Sequence, residues 1–126
     1  MLEEVISLLE AMGISVVSDD ALLAFMVKSV TERICNETNL SEIPEGLHYA
    51  AVEMVVGEYL SLKKGSGQLD GFDLDAAIKQ IQEGDTSITY AVGEGSTTPE
   101  ARLDGLISFL TKDRTPEFLR YRKLLW

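Results

Sequence analysis

The feature that most constrains this chain is a long helical stripe in its middle. Pro44 suits the first turn of a helix, where its missing N–H is no loss, and Leu47, Ala50, Ala51, Met54, Val55, Tyr59 and Leu62 follow at three- and four-residue intervals. An apolar face that wide has to be covered by other elements. Upstream, Ser18, Asp19 or Asp20 can cap a helix running to about Asn36, with Leu22, Phe25, Met26, Ser29, Val30, Arg33 and Ile34 along one face. Leu2, Val5, Ile6, Leu8, Leu9 and Met12 predict a shorter amphipathic helix that stops at Gly13. Thr97 or Thr98, with Pro99 in the first turn, opens another that turns Leu103, Leu106, Ile107 and Leu110 inward. Asp113 to Pro116 breaks that helix from the C-terminal segment. The expected fold class is mainly α: a small helical bundle in one domain, 1–126, with core helices about 2–12, 20–36, 45–63 and 98–111 and a C-terminal helical arm about 115–126.

One stretch departs from helical spacing. Between Gly65-Ser66-Gly67 and Gly93-Glu94-Gly95, which read as hinges, residues 77–92 are expected to form an inserted β-hairpin-like segment. Ser87 to Val92 alternates polar and apolar residues, which places Ile88, Tyr90 and Val92 on one strand face, and Glu83-Gly84-Asp85-Thr86 supplies the turn. Leu69 to Asp75 could lead straight into the first strand or form one turn of helix, and although Ile78 and Ile81, spaced three apart, break strict alternation, the reading there is a strand. Two short strands are marginal alone in water and need partners, either their own helices or neighbouring copies.

Charge narrows the function classes. The 126 residues hold 21 acids and 11 bases, a net −10, which argues against wrapping nucleic acid through its phosphates. The imbalance is uneven. Lys112, Arg114, Arg120, Arg122 and Lys123 face only Asp113 and Glu117 in the last fifteen residues, so this tail carries +3 and leaves −13 for residues 1 to 111. It closes on Leu124-Leu125-Trp126, and cations beside a large aromatic are residue types enriched at protein interfaces. A single cysteine, Cys35, rules out an intrachain disulfide and reads as a buried structural thiol. No apolar run reaches membrane-span length and the start lacks a basic leader, so the chain is expected in the cytosol where it is made.

No arrangement for catalysis emerges. His48 is the lone histidine and has no serine or cysteine at a nucleophile's spacing. Asp70, Asp73 and Asp75 lack the glycine and glutamate that a calcium loop requires. The two glycine pairs match neither phosphate-binding pattern. Catalytic residues, metal ligands and cofactors are all expected to be none.

The helix pair Asp20 through Cys35 and Glu45 through Leu62, the connector after it, Glu83-Gly84-Asp85-Thr86-Ser87-Ile88-Thr89-Tyr90, and the ending Tyr121-Arg122-Lys123-Leu124-Leu125-Trp126 together resemble the head-tail connector, or adaptor, proteins of tailed bacteriophages and prophages. The resemblance spans nearly the whole chain from about Ser18 and is weakest over 1 to 17 and 65 to 77. It implies a structural virion component without catalysis, forming a ring, commonly dodecameric, that joins the portal to the tail and continues the DNA channel. Implied partners are further copies of the chain, the portal protein and a tail-proximal completion protein, with DNA passing unbound. The implied location is the host cytoplasm, then the head-tail junction of the virion. By the same resemblance Ile78, Ile81, Glu83, Asp85, Ile88, Tyr90 and Val92 would lie at the subunit interface or channel. Arg120, Tyr121, Arg122, Lys123, Leu124, Leu125 and Trp126 would form the portal-binding arm. The residues alone leave a second function open, a small acidic helical interaction or regulatory protein that binds a basic partner.

Overall fold

The stripe after Pro44 becomes the central helix of the molecule. The computed structural model describes residues 1–14, 16, 20–65, 75, 77–79 and 99–124, which are mainly helical with no strand among them. The helices are α1 (Leu2–Ala11), α2 (Asp20–Thr38), α3 (His48–Gly65), α4 (Pro99–Leu110) and α5 (Thr115–Tyr121), with a 3-10 turn at Glu45–Leu47 leading into α3. The expected start of the third helix at residue 45 is therefore this tighter turn, with Pro44 extended before it.

α3 is buried over much of its circumference. Besides Ala50, Ala51, Val55 and Tyr59, it buries Val52, Glu53, Val56, Gly57 and Leu60, because α1, α2 and α4 all pack against it, and Leu47 is buried in the turn before it. Leu62 stands 48% exposed, contrary to the expected stripe, since that side of the last turn is left uncovered. The α2 face is likewise rotated from expectation. Leu23, Val30, Ile34 and Thr38 are its buried residues, whereas Phe25 is 69% exposed and Arg33 faces outward to pair with Glu58. α1 contributes Val5 and Leu9, and its continuation adds Met12, Ile14 and Val16; α4 contributes Leu106, Phe109 and Leu110.

Glycines act at two places. Gly13, at φ 86°, ends the first helical segment as expected, in a conformation that costs glycine little. Gly57 permits a close crossing: a Cβ there would meet Leu110 Cβ at 2.7 Å and Thr111 Cγ2 at 2.8 Å, so α3 and α4 touch where a side chain is missing.

The expected β insert from about 77 to 92 requires correction at its start. Ala77 to Lys79 are helical, with Ala77 fully buried and Ile78 packed on the core. The three-residue spacing of Ile78 and Ile81 is helical spacing, and burial of Ala77 in the core explains why it prevails there. Residues 80–92, and with them Ile81, Glu83, Asp85, Ile88, Tyr90 and Val92, lie outside the described residues, as do both glycine hinges beyond Gly65. No helix among the described residues is long and apolar enough to cross a membrane.

Candidate interaction surface

The C-terminal segment is built onto the end of α2. That helix stops at Asn39, the one non-glycine residue at positive φ (57°) among those described, and the Leu40 N–H returns to the Cys35 carbonyl at 3.2 Å. This is the glycine-type helix stop with asparagine in the left-handed position, where its short polar side chain is tolerated. The Thr38 hydroxyl donates back to Ile34 O at 2.7 Å. Its own carbonyl, one of the acceptors a helix end leaves open, takes the Lys123 N–H at 2.7 Å, and Asn39 Nδ2 donates to Lys123 O at 3.0 Å. Two hydrogen bonds thus fix the tail backbone in an extended path after α5, which ends at Tyr121 with Arg122 at φ −67° and ψ 127°. The expected helical arm to residue 126 is helical only through Tyr121, because the tail backbone turns aside to pair with α2.

α5 itself is held at three points. Phe118 is its buried anchor. Asp113 makes an Asx turn just before its start, accepting from Thr115 Oγ1 at 2.6 Å and Thr115 N at 3.0 Å, and these two bonds hold the Asp113 carboxyl below its ordinary pKa. The Tyr121 ring lies over Gly46, where any side chain would collide with its hydroxyl.

The five basic residues of the C-terminal stretch divide in two. Arg114 is buried: Nη1 lies 3.6 Å from Glu53 Oε1 and Nη2 donates to Leu110 O at 3.0 Å, with both side chains of the ion pair nearly sealed from solvent. Lys112 sits over the Phe109 ring, 4.3 Å from its centroid. Arg120, Arg122 and Lys123 are exposed and make no ion pair among the described residues. They alternate with Leu119, Tyr121 and Leu124, which are 55%, 39% and 62% exposed. Basic and apolar side chains thus stand exposed in succession along a backbone held at Lys123 by two hydrogen bonds; Leu125 and Trp126 fall outside the described residues. Sequence reasoning grouped all five cations together. The signal that separates them is Glu53, an acid on the most buried helix, which demands a buried partner.

Between α2, α3 and the α4–α5 turn lies a cleft of about 250 Å³, lined among others by Arg33, Glu37, Glu58, Lys112, Arg114 and Phe118. With Asp113 also in the lining, it carries three bases and three acids. Along α1, Glu3, Glu4, Ser7, Leu8 and Ala11 line an open, nearly flat surface. His48 Nε2 sits 2.8 Å from both Glu4 carboxylate oxygens, tying the start of α3 to α1, and this hydrogen bond is the main cause of a lowered Glu4 pKa. Cys35 is a half-buried free thiol rather than the fully buried one expected. Asp75 accepts from Arg102 at 3.2 Å, and no group of three or more His, Cys, Asp or Glu that could hold a metal occurs among the described residues. Asp70 and Asp73 lie outside them.

Comparison with family models, with curated proteins and with solved structures finds no match to this chain.

Proposed function

We propose that this chain is a structural assembly protein of the head-tail connector kind, which forms a ring between a phage portal and tail and works by binding rather than by catalysis. The observation that supports this reading most is the tail surface. Arg120, Arg122 and Lys123 stand exposed beside Leu119, Tyr121 and Leu124, and the Lys123 backbone is anchored to Thr38 and Asn39. A surface held in place before it meets its partner loses less entropy on binding, and mixed cationic and apolar groups suit an acidic protein patch. Residues 80–92 are read as the contact between neighbouring copies, and Ile78, packed on its own core, as its inner end. Rings of this kind need heterologous contacts, one face of a subunit meeting a different face of the next. The acidic remainder of the chain suits a channel wall past which DNA moves without adhering.

The test is binding of the full chain to a purified phage portal protein. The triple reversal Arg120→Glu, Arg122→Glu and Lys123→Glu leaves Phe118 and the Lys123 backbone bonds in place, and is expected to abolish portal binding at moderate salt. Unchanged binding by that variant would overturn the assignment of the tail.

A further inference from the structure

Two helical segments of this molecule stop in the left-handed region, and they do so with different residues. After α1 the stop is Gly13 at φ 86°, which meets the conformational need and brings no side chain. After α2 it is Asn39 at φ 57°, although glycine adopts that region at lower cost. The asparagine side chain supplies what glycine lacks. Its Nδ2 donates to Lys123 O at 3.0 Å, across 84 positions of sequence, while the neighbouring Thr38 carbonyl accepts the Lys123 N–H at 2.7 Å. Both backbone groups of one tail residue are therefore held, which fixes the direction of the chain there. Arg122 enters this point extended, at φ −67° and ψ 127°, and Arg122, Lys123 and Leu124 all carry exposed side chains.

From this pairing we infer that Asn39 is a positioning residue for partner binding, whose amide, acting through Lys123, sets the path along which Arg122, Lys123 and Leu124 meet an acidic protein surface. This role rests on the tail being the portal-binding element, and adds the residue that prepares it. A tail that leaves its path must be ordered again on binding, so the apparent affinity falls with the fraction of chains in which it is docked. The Asn39 bond is a single neutral hydrogen bond in an exposed position. Its loss therefore weakens binding by about three- to tenfold without abolishing it. Because Asn39 is uncharged, the salt dependence of binding stays with the cations.

The test compares the full chain with Asn39→Gly, which keeps the helix stop, and with Asn39→Asp, which keeps both the stop and the side-chain shape. At neutral pH neither variant can donate to Lys123 O. In the free protein, amide exchange at Lys123 is expected to accelerate in both. In titrations against a purified phage portal protein, both are expected to bind about three- to tenfold more weakly than the parent, and Asn39→Gly is expected to keep the parent's slope of affinity against salt. A change in global stability alone would leave the affinity of the folded chain untouched. Unchanged Lys123 exchange in both variants, or portal binding by both at the parent's affinity, would overturn the inference. Variants that match a binding parent remove only the role of Asn39, whereas a parent that does not bind the portal overturns the connector reading and this role with it.

Discussion

The backbone N–H of Lys123 donates to the carbonyl of Thr38 at 2.7 Å, joining the last described turn of the chain to the end of a helix eighty-five positions earlier. That bond makes the tail part of the domain instead of an appendage. It also predicts that the Lys123 amide exchanges with solvent markedly more slowly than those of Arg122 and Leu124, which can be read by amide hydrogen exchange in the free protein.

Asn39 holds both sides of this junction. Asn39→Ala removes the side-chain bond to Lys123 O and places alanine in a left-handed conformation, at a cost of about 1–2 kcal/mol. Asn39→Gly keeps the backbone freedom and should cost less in stability while still releasing the tail. Denaturant unfolding of the two variants, together with exchange at Lys123, separates the helix stop from the latch.

The Glu53–Arg114 pair predicts an asymmetric double-mutant cycle. Arg114→Met leaves the Glu53 carboxylate buried beside an apolar side chain and should destabilise by about 3–5 kcal/mol. Glu53→Leu combined with Arg114→Met removes both charges and should regain most of that loss, as judged by urea midpoints at constant slope.

Two glycines in α3 should respond in opposite directions to alanine. At Gly57 the new methyl would collide with Leu110 and Thr111, and the overpacking, about 1–3 kcal/mol, exceeds the gain of about 1 kcal/mol in helix propensity. At Gly65 nothing lies within 4 Å, so alanine should be neutral or mildly stabilising. Thermal unfolding of the two variants checks the close crossing of α3 and α4.

Asp113 gives the stability a defined acid limb. Its folded-state pKa lies below the ordinary 3.8 because the carboxylate accepts two bonds from Thr115, so its contribution is present above that pH and is lost as pH falls through the folded value. Glu4, lowered from 4.5 chiefly by the hydrogen bond from His48, acts in the same direction. Asp113→Ala should therefore unfold more readily than the parent at neutral pH, with the difference closing as the solution is acidified below 3.8.

Much of the helical order was legible because periodicity is a local signal: Pro44, Gly13 and the stripe at Ala51, Val55 and Tyr59 mark their elements without reference to anything distant. What was not legible depends on the third dimension. Phe25 matches the α2 stripe in spacing but lies outside it in space, because burial of α3 on several sides rotates α2 toward Leu23, Val30 and Ile34. Ile78 follows buried Ala77 into a helical turn, so core packing overrides the pattern that suggested a strand. The tail surface was visible as composition but not as structure. Nothing local in Arg114 distinguishes it from Arg120; Glu53 does, from sixty-one positions away.

The central claim concerns assembly, and the most direct measurement is electron microscopy of the chain mixed with a purified phage portal protein at moderate salt. The connector reading predicts a ring of added density coaxial with the portal, absent when Arg120, Arg122 and Lys123 are reversed to glutamate. Portal particles indistinguishable with and without a large molar excess of the chain would contradict it.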